Sequence, residues 1–491
     1  MHEIELKFQV PAPRLAALRR AVATSTAVRT RLQALYVDTA DGRLAGAQMA
    51  LRLRKEGRQW VQTLKGRGDG LMQRLEHEVR LPTARGTPEV DPARHAGTPA
   101  GERLAALLAD GAALRVVYRT DIRRTHRRLR HEGSVVEVAL DEGTIFAADA
   151  SAAVREVEFE LVAGAPAALI ALASRWAVRH ELRLDPRTKS ERGQRLARGQ
   201  ERAPPRKAAG VTLDPAMTAG QAFAAVVLSA VEQVLANAAE VAESSPDPEH
   251  LHQLRVGLRR LRSALVLLGG WSADPPGAEA LEARLREPFV RLGAARDDDV
   301  LAATLLPALA AACGPALTLA GTAGATPPAS VAGEPAFGVL LLEVVALALA
   351  SAGMATAAPT AAVPLRDAAA EVLRAAAKRA LKGHAGFAMA PAEAQHRTRK
   401  RLKRLRYGLE FLQSLFPGRR SSRHLAALRE ALDAIGEYTD LLVAEERLRA
   451  LVADQPAAWF GLGWLAARRP LLLGTASDAL ERLARTRRPW R

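Results

Sequence analysis

From residue 1 to about 195 the chain reads as short segments in which apolar and polar residues alternate, the pattern of half-buried strands. From about residue 215 to the end, apolar residues recur at helical spacing and strand signals are few. Between the two halves, Arg198 to Gly210 is rich in Arg, Pro, Lys and Gly, a composition that stops both patterns. The expectation is an α+β protein with a strand-built unit over 1–197, a linker over 198–214 and an all-α unit over 215–485.

The helical half repeats itself. His252-Gln-Leu-Arg255-Val-Gly-Leu-Arg259-Arg260-Leu261-Arg262 matches His396-Arg-Thr-Arg399-Lys400-Arg-Leu-Lys403-Arg404-Leu405-Arg406 at an offset of 144. Further on, Leu292-Gly293-x-x-Arg296-Asp297 matches Ile435-Gly436-x-x-Thr439-Asp440 at an offset of 143. Two matches at nearly one offset predict an internal duplication, with helical bundles over about 215–312 and 365–485. The Ala/Gly-rich segment 313–364 becomes the insertion between them, flexible around Leu319 to Glu334.

Alternation along a strand sends successive side chains to opposite faces, so parity shows which charges share a face. Glu3, Glu5 and Lys7 oppose Ile4, Leu6 and Phe8; Arg52 and Arg54 oppose Leu51 and Leu53. Arg74, Glu76 and Glu78 oppose Leu75 and Val79, Glu137 and Asp141 oppose Val136, Val138 and Leu140, and Glu156, Glu158 and Glu160 oppose Val157, Phe159 and Leu161. A merely solvated face would mix Ser, Thr, Gln and Lys, whereas these positions are nearly all carboxylates, guanidinium and ammonium groups. If such a sheet closes with that face inward, a metal-bound polyphosphate satisfies both signs: Arg and Lys fork onto phosphoryl oxygens, and clustered carboxylates hold a hard divalent cation.

Glu3-Ile4-Glu5-Leu6-Lys7 resembles the ExExK signature of the CYTH, or triphosphate tunnel metalloenzyme, superfamily. The wider order follows it: Leu51-Arg52-Leu53-Arg54, Thr63-Leu64-Lys65-Gly66, Arg74-x-Glu76-x-Glu78, Asp141, Glu156-Val-Glu158-Phe-Glu160-Leu and Lys189-Ser190. The resemblance implies an eight-stranded antiparallel β-barrel with flanking helices that hydrolyses inorganic triphosphate with Mg²⁺, Mn²⁺ being the alternative ion. It makes Glu3, Glu5, Asp141, Glu156, Glu158 and Glu160 the metal ligands. Lys7, Arg52, Arg54, Lys65, Arg74 and Lys189 become the triphosphate contacts, with Glu5, Lys65 and Glu158 central to catalysis. In the basic segment Tyr118 to Arg130, Arg119 and Arg123 are expected to point inward in preference to Arg124.

In both repeats the basic positions step by three, four and three residues, which sets them on one stripe of a helix: His252, Arg255, Arg259 and Arg262, then His396, Arg399, Lys403 and Arg406. Like charges at this spacing repel, so an anion should compensate. These motifs resemble the CHAD domain, a duplicated helical module often found behind CYTH domains. The resemblance implies binding of inorganic polyphosphate by these stripes together with Arg260, Lys400 and Arg404.

Composition narrows the partners. A formal charge of +17 calls for a polyanion, whether nucleic acid, an acidic membrane surface or a phosphate polymer, and charge alone does not choose among them. The stripes lack the interleaved aromatics that stack bases, so nucleic acid is not expected, and it is the family resemblance that implies polyphosphate. Neither GxGxxG nor GxxxxGK[ST] stands between a strand and a helix, so no glycine cradle for phosphate is expected. The apolar run Phe337 to Ala352, interrupted by Glu343, is shorter than a bilayer span and is expected to be a buried helix; no membrane partner is foreseen. A single cysteine, Cys313, and the charged start Met1-His2-Glu3-Ile4-Glu5 point to a reducing cytoplasm; association with polyphosphate granules is an expectation that goes with polyphosphate binding. The pattern sets no oligomeric state. Two competing functions follow: a granule scaffold without chemistry, and an adenylate cyclase acting on ATP, for which the strand half offers few aromatics to hold a base.

Overall fold

A computed structural model of the chain describes residues 2–67, 73–82, 86–318, 326–353 and 363–490. The side chains of His2, Glu3, Arg67, Gln73, Arg74 and residues 294–302 also lie outside the description. Two compact units result, one of 1–206, 232–253 and 332–346, the other of 207–231, 254–331 and 347–491.

The first unit is built on antiparallel strands β1 (His2–Gln9), β2 (Val28–Asp38), β3 (Met49–Glu56), β4 (Gln59–Arg67), β5 (Gln73–Arg80), β6 (Arg115–His131), β7 (Ser134–Ala147), β8 (Ala150–Ala163) and β9 (Arg183–Leu184). Their order is β5-β4-β3-β2-β6-β7-β8-β1-β9. β1 also pairs with β5, His2 opposite Leu75 and Ile4 opposite Gln73. The sequence foresaw eight strands; the ninth is a two-residue strand beside β1. Helices α1 (Leu15–Val22), α2 (Arg43–Gly46), α3 (Pro99–Leu107), α4 (Pro166–His180) and α5 (Lys189–Ala197) accompany the sheet.

Alternation works as expected. On one face Phe8 and Phe159 are fully buried and meet edge to face at 5.7 Å, with Trp176 of α4 packed on Phe159. Burying such rings stabilises the fold by about 1.5–3 kcal/mol each. The opposite face carries the charges. Near α5 it becomes apolar, where Tyr36 and Tyr118 stack at 4.5 Å among Leu32, Ile122, Ile145 and Val154.

The remaining helices are α6 (Ala219–Ala242), α7 (Pro248–Leu268), α8 (Pro275–Arg284), α9 (Arg286–Ala311), α10 (Pro328–Gly333), α11 (Pro335–Gly353), α12 (Leu365–Ala380), α13 (Ala392–Phe411), α14 (Arg419–Leu451) and α15 (Ala458–Arg485). Within the insertion, the apolar run expected as a buried helix is one: Leu341, Leu342, Val344, Val345 and Ala348 of α11 are all buried. Part of the stretch expected to be flexible, 319–325, lies outside the described residues, and the rest includes α10, where Val331 is buried. Two described helices, α6 and α11, are long and apolar enough to cross a membrane, although 72% and 50% of their apolar windows are buried within the protein. The 19-residue α11 is thus longer than its sequence run indicated.

Two fully buried histidines tie stability to pH. Gln62 gives its carbonyl to the Asp91 amide and to Arg94, and donates its amide to His95 Nε2 at 3.0 Å, so His95 donates from Nδ1 to His77 Nδ1 at 2.9 Å. Burial, then His77 and Arg94, lower the His95 pKa to about 4; burial, then Arg488, do the same to His424. Unfolded histidine titrates at 6.5, so the unfolded chain takes up protons first and stability falls as pH drops from 6.5 towards 4. The melting temperature should fall across that window, and less so in a His424→Gln variant. Equal slopes in the two proteins would refute this origin of the acid sensitivity.

Candidate active site and basic helical face

On the charged face of the first unit, three carboxylates from neighbouring strands converge. Asp141 of β7 lies opposite Glu156 of β8, and Lys7 of β1 opposite Glu158. One oxygen from each of Asp141, Glu156 and Glu158 lies within 4.8 Å of the others. Lys189, the first residue of α5, places its Nζ among them, 2.7 Å from Asp141 and 2.8 Å from Glu158, and also pairs with Glu156. Arg124 of β6 forks onto both oxygens of Asp141 at 2.7 Å and reaches Glu158.

These charges fix one another's protonation. Burial alone would raise the Glu158 carboxyl, but Lys189, Arg124 and Lys7 outweigh it and hold it well below the usual range. Asp141 is lowered against its burial by Arg124 and Lys189. Burial would lower Lys189, yet the three carboxylates raise it well above an ordinary lysine. Glu160 behaves in the opposite way: burial, then Glu137 and Glu5, raise its pKa. Carboxylates that repel one another in this manner, all with hard oxygen donors, fit a divalent cation.

Across the same face Arg52 donates to the Tyr36 hydroxyl at 3.1 Å and lies 3.8 Å from Glu76, while Arg54 donates to Glu78 at 3.1 Å. Lys65 pairs with Glu76 at 2.8 Å. α5 seals the aromatic end of the face. Its Ser190 meets the Tyr118 hydroxyl at 3.0 Å, and a Cβ on Gly193 would stand 2.3 Å from the Tyr118 ring, so only glycine permits this approach.

In the second unit, the guanidinium groups of Arg255, Arg259 and Arg262 on α7 lie over the Phe289 ring at 5.8, 5.5 and 5.3 Å. Arg399 and Lys403 of α13 are close enough to Arg259 for its field to act on both. Burial, then Arg259 and Arg399, push Lys403 down to about 7, the mark of cations crowded without sufficient counter-charge. A Cβ on Gly293 would stand 3.2 Å from Arg255, and one on Gly436 3.4 Å from Arg399, so both repeats use the same arginine-on-glycine contact.

Residues 1–193 match the CYTH domain family and residues 225–449 the CHAD domain family. The chain is a CYTH domain followed by a CHAD domain. The inorganic triphosphatase of Haemophilus influenzae is 31% identical over 136 residues, which cover 26% of this chain and 35% of that protein; the chain thus spans about a third of this curated relative. Among solved structures, the CHAD domain of the plant Ricinus communis is 30% identical with a TM-score of 0.47, covering 57% of this chain and 96% of that one. A Hippeastrum protein, described as a putative adenylyl cyclase with a dominant triphosphatase activity, is 19% identical with a TM-score of 0.30, covering 40% of this chain and 96% of that one.

In the CYTH domain, Glu5, Lys7, Arg52, Arg54, Lys65, Asp141, Glu156, Glu158, Glu160 and Lys189 lie on the charged face or reach it, whereas the side chains of Glu3 and Arg74 lie outside the described residues. The inward arginine of β6 is Arg124, not Arg119 or Arg123. Arg124 stands opposite Asp141 in register and shares its face, while Arg123 stands opposite Glu142 and Arg119 lies over the Phe146 ring; both are exposed. Arg192, which hydrogen-bonds the Ala153 carbonyl and lies 3.5 Å from Glu156, is a further cation that the sequence pattern did not flag.

In the CHAD domain the two basic stripes do not contribute every member. Arg260 is 3% exposed, lies over Phe411 and donates to the Ala209 carbonyl. Arg406 lies over Tyr407 and beside Glu410. Arg404 sits near Glu282 and Arg262, and Arg262 itself pairs with Glu282 at 2.7 Å. His396 and Lys400 are exposed on α13, and His252 is half-buried on α7. Burial, then Lys400, Arg399 and Lys403, lower the pKa of His396.

Proposed function

We propose that the CYTH domain hydrolyses inorganic triphosphate with a divalent cation, Mg²⁺ or Mn²⁺, and that the CHAD domain binds inorganic polyphosphate. One observation carries the first part: the buried acid cluster Asp141, Glu156 and Glu158 shares a face with Arg52, Arg54, Lys65, Arg124 and Lys189. Such a face can neutralise a chain of phosphoryl oxygens and hold a cation at once. Family membership and the partial likeness to an inorganic triphosphatase support the same class of hydrolase.

The cation would be held by Glu5, Glu158 and Glu160 together with Glu3, Asp141 and Glu156, and when bound it supplies positive charge to the phosphoryl oxygens. The chain's own residues do the rest. Arg52, Arg54 and Lys65 bind and align the triphosphate, Lys7 and Arg124 hold Glu158 and Asp141 ionised, and Lys189 moves from the carboxylates to a phosphate oxygen. Adenylate cyclase chemistry has less support, because Tyr36 and Tyr118 are stacked on each other and buried at 5% and 2% exposure, leaving neither free for adenine.

The deciding experiment follows phosphate release from inorganic triphosphate, ATP and long-chain polyphosphate in parallel, with Mg²⁺ and with chelator. Metal-dependent release from triphosphate, with long chains bound but not cleaved, is the expected result. No release from any substrate, with long chains still retained, would favour a scaffold.

A further inference from the structure

α5 is held from two sides. Its first residue, Lys189, enters the acid cluster, and its capping residue Thr188 closes a reciprocal box with Glu191. On the other side Arg187, two residues before Lys189, and Arg195, near the helix end, both donate to the same oxygen of Glu240, at 3.2 and 2.8 Å. Glu240 belongs to α6 and is 1% exposed; the two arginine side chains are 11% and 13% exposed. Asp185, itself buried, grips Arg187 through both carboxylate oxygens, and Glu243, one turn beyond Glu240, bonds Arg187 and Arg202. Every one of these residues lies in the first compact unit.

Glu240 is far along the chain from the sheet, yet a single carboxylate oxygen brackets the helix that carries Lys189. A buried carboxylate shared by two largely buried guanidinium groups cannot be lost quietly, since both cations then lack part of their counter-charge and must move towards water. The side facing the sheet leaves little slack: Gly193 lies directly against Tyr118, so a shift of α5 translates into displacement of Lys189.

We propose that Glu240 is a positioning residue for the triphosphate site, acting through Arg187 and Arg195 to set the reach of Lys189. The inference rests on the reading of Lys189 as a triphosphate contact. Glu240 touches no substrate in this account.

A double-mutant cycle on the full chain tests it. Binding of inorganic triphosphate is measured by calorimetry, with chelator present to prevent turnover, for wild type, Glu240→Gln, Lys189→Ala and the pair. Glu240→Gln is expected to weaken binding roughly tenfold with an unchanged circular dichroism spectrum, and to add almost nothing in the Lys189→Ala background. A purely structural role would give multiplying effects in the double variant and would overturn the proposal, as would an unchanged affinity in Glu240→Gln. An unchanged affinity in Lys189→Ala would instead remove Lys189 from the triphosphate site and take the inference with it. If Glu240→Gln does not fold, Arg195→Gln replaces it, with an expected loss of roughly threefold and the same non-additivity.

Discussion

Replacing Glu158 with Gln is expected to lower triphosphate hydrolysis by roughly 10²–10³-fold while leaving a folded protein. Glu158 is the residue on which the cations of the charged face meet: Lys189 and Arg124 bond to it, and the field of Lys7 adds to theirs. The neutral amide keeps the shape and removes the charge. Asp141 and Glu156 continue to compensate Lys189 and Arg124, so the stability cost should stay below the 3–5 kcal/mol typical of breaking an isolated buried pair. Domains of this size commonly have 5–15 kcal/mol in reserve, so the variant should still melt cooperatively. Phosphate release and a thermal melt on the same preparation separate the two effects. A rate equal to wild type would remove Glu158 from the chemistry.

The charged face was legible because strand parity is rigid: once Leu6, Phe8, Val157 and Phe159 are assigned to the core, Glu5, Lys7, Glu156 and Glu158 must lie opposite them. Parity failed at β6, where arginines stand on both faces and the pairing with β2 shifts between Tyr36 and Val37. Only the register against β7, Arg124 opposite Asp141, identifies the inward residue, and that is tertiary information. The role of Glu240 was invisible for the same reason. It sits in an apolar helix whose sequence neighbours say nothing about Arg187 or Arg195. On α7, Arg260 follows Arg259 by about 100° around the helix, so a run of consecutive arginines necessarily sends one to the core and one to the shared face.

That division predicts which arginines matter for polyphosphate. Replacing Arg259 and Lys403 together with Ala should weaken binding of long-chain polyphosphate by roughly 10–100-fold and reduce the slope of log affinity against log salt by about 0.7 for each lost phosphate contact. Arg260→Ala should act differently, lowering the melting temperature through lost packing on Phe411 while leaving the salt slope unchanged. The crowding that marks the face also makes it sensitive to pH. Lys403 gains its proton as pH falls through about 7, and His396 does so below its usual range, so retention of polyphosphate should strengthen from pH 8 to pH 6. In the Lys403→Ala protein most of that rise should vanish. Titrating binding by both proteins over this range at fixed ionic strength separates Lys403 from the histidines, which also gain protons in that window. A pH profile identical in the two proteins would show that Lys403 stays charged throughout or lies away from the bound chain, and the convergence of the α7 and α13 stripes would then not be the binding face.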